Sequence, residues 1–149
     1  MVKNSSHQPN FVLVERHQGN QLLTTVMLDI GLRDYSRKEN LPWMVVIDID
    51  VVGDDNSGFP DQNEARILNN FEDSITSKIR SVSDSVFLGR MTIPQSRRLY
   101  YYVFNPSSVN EVLQTVIDSR EYAKEFEYKI EKDADWDEAS RLFTMANSE

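Results

Sequence analysis

The chain has 149 residues, a formal charge of −8 and a sequence pI of about 4.8. That length is enough for one self-sufficient core, and the acidity argues against nucleic acid as a general partner, because such affinity comes from Lys and Arg displacing counterions. With no cysteine and only His7 and His17 as histidines, the sequence excludes disulfides, thiolate nucleophiles, cysteine-ligated zinc and any multi-histidine metal centre.

No run of about 20 apolar residues is present, so no membrane span is expected. Met1 to Asn10 is polar and lacks the apolar stretch of a secretory signal, which makes the cytoplasm the expected compartment. Residues 1–10 read as a disordered lead-in, and residues 11–146 as a single domain. His7 falls in that lead-in and His17 beside a turn, both expected to be exposed.

Phe11 to Arg16 and Gln21 to Leu32 are rich in Val, Leu and Thr and flank the turn Gln18-Gly19-Asn20, which predicts an N-terminal hairpin. Asp34 to Asn40 is a charged loop. Leu41 to Val52 (LPWMVVIDIDVV) is the strongest strand: Trp43, Val45, Ile47, Ile49 and Val51 share one face, and Asp48 and Asp50 make the far end of the other face polar. Gly53 to Pro60 is a loop by composition. From Asp61 the apolar period becomes helical, with Leu68, Phe71, Ile75 and Ile79 as the stripe; Pro60 suits the first turn, and Asp61 and Glu64 suit the positive end of the dipole.

Asp84 to Ile93 and Arg97 to Asn105 are strands joined at Pro94-Gln95-Ser96, with Gly89 marking a bulge or a close backbone approach. Asn105 caps a second helix, with Pro106 at its first position and Val109, Val112, Leu113, Val116 and Ile117 at core spacing. Tyr122 to Glu131 alternates as a strand with Phe126, Tyr128 and Ile130 inward. A last helix starts at Asp135, Glu138 completing a capping box and Trp136, Ala139 and Phe143 facing in.

From residue 41 the order is β-α-β-β-α-β and then a helix, which predicts an α+β, ferredoxin-like sandwich with an N-terminal β-hairpin and a C-terminal helix. The hairpin either extends a sheet edge or covers part of the open face. Five stretches in this order, Leu41-Pro42-Trp43, Gly58-Phe59-Pro60 ahead of Glu64, Leu68 and Glu72, Leu88 to Thr92, Arg98 to Val103, and Asp133 to Trp136, resemble a bacterial family known as domain of unknown function 695. The resemblance spans about residues 20 to 143 and implies a fold without a reaction. More distantly the chain is similar to the B-type regulator of ribonuclease E, an acidic protein that inhibits by binding another protein, which implies a regulatory role.

Three groups of residues carry candidate chemistry. Asp48, Asp50, Asp54 and Asp55 are hard oxygen donors suited to calcium or magnesium, and a hydrolase could use them. The EF-hand template fails, however, because Phe59 stands where glycine is required and Ala65 where the bidentate glutamate belongs. Asp48-Ile49-Asp50 resembles the nucleophile motif of haloacid-dehalogenase-type phosphatases, without the lysine or parallel sheet such enzymes need. Third, Arg98, Tyr100, Tyr102 and Phe104 alternate onto one strand face near Arg90 and Arg97. That pattern suits a weak single-stranded RNA platform or, as the simpler reading, packing under the hairpin or at a homodimer contact.

No Gly-x-Ser-x-Gly, no phosphate-cradling glycine loop and no histidine in the body of the chain supplies a catalytic constellation. The sequence therefore reads as a non-catalytic protein-binding or regulatory module without a cofactor. Its partner is another protein, or a second copy, met by Arg90, Arg98, Tyr100, Tyr102 and Phe104.

Overall fold

The computed structural model describes residues 7–120 and 123–147. Six strands, β1 (Phe11–Gln18), β2 (Gln21–Asp29), β3 (Trp43–Asp50), β4 (Ser85–Ile93), β5 (Ser96–Val103) and β6 (Phe126–Lys132), form one sheet in the order β1-β2-β4-β5-β3-β6, every adjacent pair antiparallel. Three α-helices pack on it: α1 (Gln62–Val82), α2 (Pro106–Ser119) and α3 (Asp137–Asn147). The chain is thus mixed α and β. No helix among the described residues is long and apolar enough to cross a membrane.

The hairpin turns at Gly19-Asn20, where Gly19 takes φ +61°, a left-handed conformation that costs a glycine nothing. It extends the sheet edge: β2 pairs with β4, Met27 opposite Arg90 and Leu28 opposite Gly89. Gly89 serves both roles expected of it. It sits in a bulge of β4, and a Cβ there would lie 2.2 Å from the Met27 carbonyl oxygen. Strand β2 stops at Asp29, short of the predicted Leu32, because the Asp29 carboxylate accepts the Gly31 N–H and starts a 3-10 turn over Ile30–Asp34; a second covers Lys38–Asn40 in the predicted charged loop.

On one face lie α1 and α2. Val45, Ile47 and Ile49 of β3 and Leu99, Tyr101 and Val103 of β5 pack there against the α1 stripe and against Val109 and Leu113. Asp61 is the α1 N-cap, its Oδ1 accepting the Glu64 N–H at 2.8 Å, so the helix begins one residue later than its period suggested and Pro60 lies outside it, bridged to Gly53. Asn105 and Pro106 open α2 as expected.

On the other face a second core joins Val26, Leu28, Met44, Val46, Tyr100 and Tyr102 to Leu142, Phe143 and Trp136. Here the capping prediction needs correction. Trp136 has φ +57° and precedes α3, and Asp133 does the capping, with Oδ1 accepting from Asp137 N–H and Oδ2 from Glu138 N–H. A tryptophan cannot cap its own helix, so the loop carboxylate three residues earlier takes the free amides.

Two further boundaries move for similar reasons. Strand β5 ends at Val103 because Asn105 is drawn off as a cap and the Phe104 N–H turns to the Asp84 carbonyl. Strand β3 ends at Asp50 because the Val52 N–H is taken by the Glu64 carboxylate. Tyr122, the expected start of the last strand, lies outside the described residues. His7 is not exposed as predicted: its Nε2 lies 2.7 Å from Asp29 Oδ2 and its ring meets Tyr35 edge-on, while Asn10 N–H donates to the same carboxylate.

Candidate functional site

The alternation of β5 places Arg98, Tyr100 and Tyr102 on the face opposite α1 and α2, as the sequence predicted, but a different element covers them. Tyr102 is fully buried and Tyr100 is 3% exposed. The Tyr102 ring stacks on Trp136 at 4.2 Å; its hydroxyl donates to Asp133 Oδ2 at 2.7 Å and accepts the Ala139 N–H at 3.2 Å. Trp136 Nε1 donates to the Leu41 carbonyl at 2.9 Å, and the Tyr35 ring also stacks with it, centroids 5.9 Å apart. Burial, and then the adjacent Asp133 carboxylate, push the Tyr102 phenol well above its ordinary range, so it stays a donor. The cover is the C-terminal helix, not the hairpin.

The five residues expected to form one partner surface are therefore dispersed. Tyr100 and Tyr102 are core. Phe104 is 61% exposed but lies past the strand end. Arg90 emerges on the opposite face from Arg98, because the bulge at Gly89 resets the alternation of β4, and its Nη1 donates to Glu72 of α1 at 2.9 Å. Stacking of bases on this strand has no exposed ring to use except Phe104.

Beside α3 the described residues leave the sheet face over β3 and β6 uncovered. A cleft of about 320 Å³ lies there, floored by Met44, Val46 and Tyr100 and rimmed by Asp48, Arg98, Glu127, Lys129, Glu131 and Glu138. Asp48 accepts from Ser96 Oγ at 2.9 Å and sits 3.6 Å from Arg98 Nε, while Glu127 faces it across β6. An adjoining pocket of about 290 Å³ adds Asp50 and Glu125. The predicted acidic cluster divides in two. Asp48 and Asp50 stand on the strand, whereas Asp54 Oδ1 accepts from the amides of Asn56 and Ser57 and from Ser57 Oγ within its own loop. Those bonds, the Ser57 amide first, hold the Asp54 carboxyl below the usual range. Among the described residues no group of three or more His, Cys, Asp or Glu is arranged to hold a metal ion.

Two features escaped the sequence reading. One is a row of charges between α1 and the sheet: Lys124 Nζ pairs with Glu64, which also accepts the Val52 N–H at 2.8 Å, and Arg97 Nε donates to Thr92 Oγ1 at 2.9 Å. Glu64, Lys124 and Arg97 are all buried, and burial, then the neighbouring Arg90, push Arg97 down to about 10. The Glu64–Lys124 pair ties the loop after β3 and the segment before β6 to the start of α1. Nothing in the local spacing of Glu64 and Lys124, 60 residues apart, signals it.

The other feature is an apolar shelf. Among the described residues, helices α1 and α2 leave the hairpin end of their face bare, and there Leu13 is 64% and Phe11 43% exposed. Phe11 rests against Phe87 at 6.1 Å, and a groove of about 570 Å³ runs between Phe11, Met27 and Phe87 and the α1 flank of Glu72, Asp73, Thr76 and Arg80; Leu13, the register partner of Met27, stands beside that groove without lining it. The signal was present in Phe11-Val12-Leu13-Val14. A strand whose first half is apolar at every position is, over that half, built to be covered on both sides.

With the architecture in place, the comparison with protein families is decisive: the family of unknown function DUF695 matches residues 15–139. This chain belongs to that family. The match takes in every stretch that carried the sequence resemblance, from Leu41 to Trp136, and begins just after Phe11 and Leu13. No curated protein matches this DUF695 member, and the distant similarity to the B-type regulator of ribonuclease E is not shown. Among solved structures it is similar to the de novo designed protein Ferredog-Diesel, at 15% identity and TM-score 0.33, over 60% of this chain and 84% of the designed one.

Proposed function

We propose that this DUF695 protein is a non-catalytic protein-binding module: a single ferredoxin-like domain over residues 11–146, acting in the cytoplasm and engaging another protein through the hairpin shelf. The ferredoxin-like reading is supported by the succession β3-α1-β4-β5-α2-β6 with spatial order β6-β3-β5-β4. The observation that carries the function is the apolar side of β1 that is exposed among the described residues: Phe11, which lines the groove with Met27 and Phe87, and Leu13 next to it, opposite Met27. Exposed apolar surface next to a concavity marks an interaction site more often than an ornament of the surface.

The competing readings have less behind them. A hydrolase at Asp48, Asp50, Asp54 and Asp55 would need a carboxylate that the loop already employs. An RNA platform at Tyr100, Tyr102 and Phe104 would need the rings of Tyr100 and Tyr102, which α3 covers, and would be left with Phe104 alone.

The test is differential capture. The tagged full chain, its Leu13→Glu variant and its Arg98→Ala variant are each used as bait against lysate. The reading expects a protein retained by the parent and by Arg98→Ala and lost with Leu13→Glu. Identical recovery with all three baits, or no specific recovery, overturns it.

A further inference from the structure

We infer that the shelf takes an amphipathic helix of a basic partner, laid beside α1 as the third helix of that layer. This deepens the proposed function and rests on binding at the shelf. Six strands spaced about 4.8 Å apart make a face roughly 25–29 Å wide. Helices packed about 8–10 Å apart cover about 20 Å with two members, which leaves a strip about one helix wide. That strip is the shelf: its floor is Phe11, Met27 and Phe87, and its wall is α1, whose Asp73, Thr76 and Arg80 follow one another at helical spacing along the groove.

Charge selects the partner's sign. The groove is lined by the carboxylates of Asp29, Glu72, Asp73 and Asp84 against the single guanidinium of Arg80. Asp29 is occupied by His7 and two backbone amides, and Glu72 by Arg90. Among the described residues, Asp73 and Asp84 have no cationic partner, and they flank the apolar floor. A helix with apolar residues at i, i+3, i+4 and i+7 would seat them on Phe11, Leu13 and Met27, and Lys or Arg on its flank would meet Asp73 and Asp84. An added strand would instead hydrogen-bond to the free edge of β1 and leave this floor bare.

The experiment uses the full chain and three synthetic peptides of about 18 residues, roughly five helical turns: a Leu/Lys amphipathic helix, its Leu/Glu counterpart, and a scrambled Leu/Lys sequence. Binding is read by anisotropy and mapped by amide shifts. The Leu/Lys helix is expected to bind, shifting residues around Phe11, Leu13, Met27 and Asp73. Its affinity should fall about tenfold or more with Leu13→Glu, and several-fold with Asp73→Asn plus Asp84→Asn, on the scale of a lost anchor and of flanking charges. Both variants alter exposed side chains, and each is checked for an unchanged Tm.

Equal binding of the Leu/Glu and scrambled peptides, or shifts centred on Asp48 and Glu127, overturns the inference. So does a chain that sediments as a dimer dissociated by Leu13→Glu, because the occupant is then a second copy. If lysate capture depends on Leu13 while no peptide binds, the helix inference fails and the proposed function stands; if neither depends on Leu13, both fail.

Discussion

Among the described residues, the sheet is left uncovered at two diagonally opposite corners, and the two are chemically different. Over β3 and β6, on the α3 face, the bare strands present Asp48, Glu127, Lys129 and Glu131. Over β1 and β2, on the α1 face, they present Phe11, Leu13 and Met27. In the first place a charged rim closes over the buried floor of Met44, Val46 and Tyr100, whereas in the other Phe11 and Leu13 stand exposed. Edge strand β6 alternates apolar with charged, as an edge facing water should, whereas edge strand β1 runs Phe-Val-Leu-Val before any charge appears. What a bare corner means is written in its alternation, not in its openness.

The covered corner on the α3 face shows what the shelf would become with an occupant, and Trp136→Ala breaks that cover. The substitution removes the stacks on Tyr102 and Tyr35 and the bond to Leu41, and should cost about 3–5 kcal/mol in a denaturant melt, with new binding of an apolar dye. A loss below about 1 kcal/mol would mean that α3 is not what protects the tyrosine face. Next in size, Lys124→Met strands the buried Glu64 carboxylate and should cost about 3 kcal/mol, part of it recovered when Glu64→Gln is added in a double-mutant cycle. An additive pair would show that the two charges are solvated independently.

Alkali probes the tyrosines that both cores bury. Burial raises the phenols of Tyr100, Tyr101 and Tyr102 above their ordinary value of 10.0. A raised acid binds its proton more tightly in the folded chain, so its contribution is fully present below pH 10 and declines as pH rises from there toward the folded values. Depression of Arg97 to about 10 acts in the opposite sense, since the unfolded chain then holds more protons above that pH. With three tyrosines against one arginine, stability should fall above pH 10, and tyrosinate absorbance should rise in step with unfolding. A gradual rise of all tyrosinate signal in a chain that stays folded would contradict the burial.

The smallest effects sharpen the contrast between the bare corners. Arg98→Ala should change stability by less than about 1 kcal/mol, because its pair with Asp48 is half-exposed. Leu13→Glu should change it by no more than about 0.5 kcal/mol in the isolated chain. A large loss with Leu13→Glu would mean that the shelf is already occupied by the protein itself.

Local pattern made the elements readable. The stripe of Leu68, Phe71, Ile75 and Ile79, the Asn105-Pro106 start of α2 and the two-residue periods of β3, β5 and β6 are set by neighbours within a few residues, and all were legible before any coordinates. So was the face on which Tyr100 and Tyr102 lie. What covers that face was not, because it depends on where the helix that starts at Asp137 docks, and on a loop aspartate that both caps the helix and receives a tyrosine hydroxyl. The buried Glu64–Lys124 pair and the separation of Arg90 from Arg98 belong to the same class: one joins segments 60 residues apart, the other follows from a single extra residue in β4. Chain-local sterics and apolar period specify helices, strands and their faces, whereas the partner of each face is chosen by all the elements at once, when they compete to bury it.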